Sequence, residues 1–158
     1  MVEEIVYILY YSRSGTTKML AKRIHEIFTA LLPKHLDIKL VATNEIDFES
    51  LRKAVGYIIG TPDYFSYPAG QIKIFFDDMY EIRNEMKDKP IFGFITHGGS
   101  GKAVKPLMDL CSSVKFKVIT PFISVEKGKE ISKKDEAQIE KNCKQMLKIL
   151  GKDDNIQY

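Results

Sequence analysis

A chain of 158 residues with 44% hydrophobic content is long enough to bury a full core without a disulfide or metal staple, so residues 1–158 are expected to form a single domain. The net charge of +3 argues only weakly for nucleic acid, and the late lysines, such as Lys127, Lys129, Lys141 and Lys148, alternate with acids or apolar residues as on a solvated helix face. The two cysteines, Cys111 and Cys143, lie far apart with no companion motif, the acidic start has no signal-peptide character, and the first apolar run is too short to span a membrane; a cytoplasmic protein with reduced thiols and no membrane partner is expected.

The elements alternate along the chain. Glu4 to Tyr10 reads as a buried strand, since Ile5, Val6, Ile8 and Leu9 leave no polar face. Thr16 to Leu32 has apolar residues at helical spacing, with Pro33 just beyond. Leu36 to Ala42 alternates with polar positions and reads as a strand nearer an edge, and Asn44 to Lys53 as a short helical or irregular connection. Val55 to Gly60 is an apolar third strand. Thr61 to Pro68, bounded by prolines and carrying Tyr64, Phe65 and Tyr67, is expected as a loop. A helix from Ala69 to Met86, a strand from Pro90 to Thr96 and a helix from Lys102 to Cys111 follow, the last tolerating Pro106 if it starts or kinks nearby. Lys115 to Val125 reads as the last strand. Ser132 to Leu150 reads as a final amphipathic helix with Ser132 as its N-cap.

Alternation of this kind predicts an α/β fold, a parallel sheet with helices on both faces, in which ligands gather outside the carboxyl ends of the strands. Three unusual loops, at 12–17, 61–67 and 96–101, follow the first, third and fourth apolar strands and therefore converge at one edge. In the first, Ser12, Ser14, Thr16 and Thr17 with Gly15 open a helix, an arrangement that can set hydroxyls and unpaired backbone N–H groups around one anion, with the helix dipole adding to the attraction. Ser14 or Thr16 could instead act simply as an N-cap. Other phosphate signatures are absent. The first turn has no Rossmann glycine pattern, and the Gly98-Gly99-Ser100-Gly101-Lys102-Ala103 run has Thr96 and Ala103 where a P-loop needs glycine and Ser/Thr. Tyr10 and Tyr11 end the first strand where a phosphoacceptor receiver needs an acid to hold Mg²⁺, and no cysteine stands in the first loop to serve as a phosphatase nucleophile.

Across nearly the whole chain the trio of loops resembles the flavodoxin family and its flavodoxin-like relatives, including flavodoxin-like quinone reductases. The resemblance implies a three-layer sandwich around a five-stranded parallel sheet in the order 2-1-3-4-5, with FMN as cofactor at the switch between the first and third strands. Tyr10-Tyr11-Ser12-Arg13-Ser14-Gly15-Thr16-Thr17 looks like the family's FMN phosphate loop, which makes Ser12, Arg13, Ser14, Gly15, Thr16 and Thr17 candidate cofactor residues. Thr61, Pro62, Asp63, Tyr64, Phe65 and Ser66 match the segment that covers the flavin ring, where Tyr64, Phe65 or Tyr67 can stack on it. Thr96, His97, Gly98, Gly99 and Gly101 match the loop flanking the N1 and O2 edge, where negative charge gathers on reduction, and His97 is placed to stabilise that charge or move a proton.

The family implies electron transfer to a redox partner protein or a small-molecule acceptor, with no catalytic residue of the protein's own. The alternative is an FMN-dependent NAD(P)H:quinone-type oxidoreductase, and beyond that a flavin-free binding or regulatory module with the same fold. Two departures stand out. No glycine lies between Gly60 and Gly70, where family carriers often have one whose peptide flips towards the flavin N5, so Ser66 makes that flip more costly. The chain is also mildly basic, whereas many family carriers are acidic.

Overall fold

The computed structural model describes residues 3–151. β1 (Glu4–Tyr10) leads into α1 (Thr16–Thr29), and β2 (Leu36–Ala42) into the short α2 (Phe48–Lys53). β3 (Gly56–Tyr64) folds back as β4 (Tyr67–Pro68), followed by α3 (Gly70–Met79), a 3-10 turn (Tyr80–Ile82) and α4 (Arg83–Met86). β5 (Pro90–His97), α5 (Val104–Ser113), β6 (Lys117–Val118), β7 (Ile123–Glu126) and α6 (Lys133–Ile149) complete the order.

The main sheet is parallel and runs β2-β1-β3-β5, with β6 and β7 pairing successively with the lower and upper parts of β5. β6 and β7 together occupy one strand position, so the expected order 2-1-3-4-5 holds with its last strand broken. The break falls at Thr120-Pro121, because proline has no N–H to give a ladder. α1 and α6 pack against each other on one face, tied by an Arg23–Glu136 ion pair, and α5 covers the other. The core holds Ile8, Ile58, Ile59, Phe92 and Phe94 from the sheet, with Ile24, Phe28, Leu107, Cys143 and Met146 from the helices, all fully buried. Each large apolar side chain so buried contributes about 1.5–3 kcal/mol.

Several boundaries differ from the sequence expectation. The stretch expected as a loop from Thr61 is a continuation of β3, which pairs Thr61 with Ile95 and Pro62 with Thr96 before turning into β4. Pro62 is tolerated because Gly60, two residues earlier, faces β1 and accepts from Tyr11 N–H at 3.2 Å; Pro62 points the same way, past the end of β1, where no ladder partner remains. The long helix expected from Ala69 to Met86 breaks at Tyr80–Ile82. Arg83 braces that break, donating to the Tyr80 carbonyl at 2.8 Å and laying its guanidinium over the Tyr80 ring. α1 ends at Thr29 rather than Leu32, its last residues tightening into three-residue turns from Leu31 to Phe28 and Leu32 to Thr29. In α5, Pro106 stands in the first turn, where its missing N–H would have had no partner.

Candidate functional site

The carboxyl ends of β1, β3, β5 and β7 surround a pocket of about 480 Å³, within the range of small-molecule and cofactor sites. From the first loop Arg13, Ser14, Thr16 and Thr17 line it. Gly15 is the N-cap of α1 at φ 94°, a left-handed conformation that glycine adopts without penalty, and no side chain accepts from the first amides of the helix. Neither Ser14 nor Thr16 is a cap; their hydroxyls lie 3.3 Å apart. Two helices are capped by side chains, Asp47 accepting from Ser50 N–H at 2.7 Å on α2 and Ser132 from Asp135 N–H at 3.0 Å on α6, whereas α3, α4 and α5, like α1, have no such cap. What sets α1 apart is its place: residues of its first turn line the pocket, with no acid among them to oppose an anion. Ser12 stands outside the lining, its Oγ accepting from Gly15 N–H at 3.0 Å and so fixing the turn.

The β3–β4 hairpin supplies Pro62, Asp63, Tyr64 and Phe65. Its tip, Phe65-Ser66, holds both residues at positive φ, 56° and 68°, the pair of left-handed conformations that a two-residue hairpin turn demands. Phe65 is 100% exposed although it borders the pocket, so one whole ring face is free for a flat ligand. Ser66 and Thr61 do not line the pocket. Thr61 is wholly buried, its hydroxyl donating to Pro62 O at 2.8 Å and accepting from Ala69 N–H at 2.9 Å, and it thereby closes the base of the hairpin. Asp63 spends both carboxylate oxygens within the protein: one accepts from Ser66 N–H at 2.9 Å, the other from Ala103 N–H at 3.0 Å at the start of α5. It joins the second loop to the third.

The third loop contributes Thr96, His97 and Gly98, while Gly99 and Gly101 stand outside the lining. Thr96 and Thr17, both buried, share a hydrogen bond of 2.7 Å, which ties the third loop to the first. His97 lines the pocket, and its Nδ1 is buried without a hydrogen-bond partner. Beside it, Glu126 is bonded to Lys129 at 2.7 Å, and the Lys129 ammonium holds the Glu126 carboxyl below the usual carboxylate range.

Lys127 also lines the pocket, and sequence reasoning passed over it as one more surface lysine. The signal was positional, since it directly follows the last parallel strand, at the edge where ligands of such sheets gather. Both cysteines are remote from this chemistry, buried with their thiols pushed up by desolvation, and no metal-binding cluster of His, Cys, Asp or Glu occurs among the described residues. Within those residues no helix is long and apolar enough to cross a membrane.

Replacing Asp63 by alanine is expected to release both amides it holds. Hydrogen bonds to a charged acceptor contribute about 1.5–3 kcal/mol each, so exchange of the buried Ala103 amide should quicken by at least about tenfold in a hydrogen-exchange measurement. An unchanged Ala103 rate would show that the bridge is incidental.

The flavodoxin family profile matches residues 8–145, the span from β1 through most of α6. The chain belongs to the flavodoxin family. A flavodoxin of Clostridium saccharobutylicum is 29% identical over 82 residues, 52% of this chain and 50% of that one, so the match spans about half the length of the curated relative. Among solved structures, a flavodoxin from the domain Archaea has a TM-score of 0.77 at 18% identity, covering 92% of this chain and 99% of that one. The rubredoxin:oxygen oxidoreductase of the anaerobe Desulfovibrio gigas has a TM-score of 0.80 at 17% identity, over 96% of this chain and 37% of that one. At such identities these likenesses establish the flavodoxin fold. Flavodoxins bind FMN and transfer electrons.

Proposed function

We propose that this flavodoxin-family chain holds FMN in the pocket at the carboxyl edge of its sheet and carries electrons to or from a redox partner protein. The uncapped N-terminus of α1 carries the proposal. Its amides, the hydroxyls of Ser14, Thr16 and Thr17, and the Arg13 guanidinium make a cradle for a phosphate that a neutral ligand would leave unused.

Tyr64 and Phe65 would cover the ring from the hairpin side, and backbone groups of residues 63–65 and 97–98 would meet its polar edges. FMN supplies the redox chemistry when bound; the protein binds, orients and tunes it. His97 stands in the pocket wall at the third loop, and Asp63 and the Thr17–Thr96 pair keep the three loops in register. No side chain needs to act as a nucleophile.

Titration with FMN and with riboflavin, followed by flavin absorbance and fluorescence, tests the proposal. FMN is expected to bind at least about 100-fold more tightly, a difference of about 2.8 kcal/mol for the phosphate. Equal affinities would remove the phosphate cradle from the account, and absence of any flavin shift would remove the site. Steady consumption of NAD(P)H with a quinone would replace the carrier role with that of a reductase.

A further inference from the structure

Lys127 reaches the pocket from the loop that follows β7, and its position is fixed from the backbone: its N–H donates to the His97 carbonyl at 2.6 Å. It therefore stands on the third-loop side of the pocket, apart from the first loop that cradles the phosphate. No acid neutralises it among the described residues. Glu126, its neighbour in sequence, is taken by Lys129 at 2.7 Å. Asp63, the acid lining the pocket, has both oxygens on the amides of Ser66 and Ala103. The remaining cation of the lining, Arg13, belongs to the first loop.

We propose that Lys127 sets how this site weighs reduced against oxidised FMN, an inference that rests on the pocket being the FMN site. The oxidised ring is neutral. Uptake of two electrons and one proton, the proton going to N5, leaves one negative charge shared between N1 and O2, the edge that would face the third loop in the proposed seating. An ammonium on that side attracts the reduced ring and gains nothing from the neutral one. Binding and reduction are linked, so tighter hold on the reduced form raises the midpoint potential by the same free energy. Arg13, beside the phosphate, meets the same charge in both redox states and should change affinity far more than potential.

The test is an anaerobic equilibrium titration of the FMN-loaded protein, with dithionite supplying the electrons and a redox dye of known potential as reference. Lys127→Gln is expected to cost about tenfold in preference for the reduced form, a drop of about 30 mV for a two-electron couple. Lys127→Arg should keep the original potential, and Lys148→Gln, a like change of charge on α6, should not move it. Because Lys127 is exposed, the difference between wild type and Lys127→Gln should shrink in 1 M salt, where the screening length falls to about 3 Å. An unshifted potential in Lys127→Gln, or an equal shift in Lys148→Gln, overturns the proposal while leaving FMN binding intact. Failure of the wild type to take FMN overturns the site and the proposal together.

Discussion

Substitution of Gly15 by valine is expected to weaken FMN about 100-fold while changing riboflavin affinity by no more than about threefold. No atom lies within 4 Å of a Cβ built on Gly15, so crowding is not the cause. The cause is φ 94°, a conformation that costs an L-residue about 1–2 kcal/mol, more when the side chain is β-branched. To avoid it the turn must open, which withdraws the Gly15 amide from Ser12 Oγ and turns the first amides of α1 away from a common point. Two factors of ten correspond to about 2.8 kcal/mol, the size expected when strain and lost charge-assisted hydrogen bonds combine. Gly15→Asn should lie between, since asparagine enters the left-handed region more readily. Fluorescence titration with both flavins decides the matter, and a parallel loss of FMN and riboflavin would mean that the turn shapes the pocket without holding phosphate.

The second large effect is expected from Gly60→Ala, away from any ligand. A Cβ at Gly60 would sit 2.0 Å from two ring carbons of Phe94, which lies across the sheet where β3 and β5 pair in register. Both flanking strands are buried and Phe94 is itself fully enclosed, so the ring has no vacant rotamer to take. Overpacking of this kind costs about 3 kcal/mol, which for a domain of this size lowers Tm by roughly 6–12 °C. Adding Phe94→Leu should recover part of the loss, a coupling visible in a double-mutant cycle by urea denaturation. Equal stability of Gly60→Ala and wild type would show that the strands shift apart freely at this point.

The strands were legible because parallel strands buried on both faces leave nearly unbroken apolar runs, as in Ile5 to Leu9 and Ile91 to Ile95, while their order came from the family resemblance. The strand-to-helix turn that opens α1 was legible too, because hydroxyls around a glycine form a short, local pattern. What escaped depended on tertiary context. Pro62 read as the end of a strand, yet its missing N–H faces a place where β1 has already stopped. Asp63 read as part of a ring-covering loop, but its carboxylate serves two amides, one of them forty residues on in sequence. Thr61 read as lining the flavin and is sealed inside the hairpin base. Lys127 carried no local mark, since only the closing of the sheet brings the end of its fifth strand position beside the third loop. The absence of glycine between Gly60 and Gly70 read as making a peptide flip at Ser66 more costly; the structure already holds Phe65 and Ser66 at positive φ.

That hairpin tip has a thermodynamic consequence for the whole molecule. Holding phenylalanine and serine in left-handed conformations draws on the stability of the fold, by about 1–2 kcal/mol for each residue before the turn and the Asp63 bond offset it. The loop is thus ordered while the protein folds, and a ligand arriving later meets a finished wall rather than a floppy one. Fold stability and grip on the cofactor are therefore opposed at these two positions: glycine at either would ease the backbone and, by freeing the wall to move, loosen the hold on whatever lies beneath it.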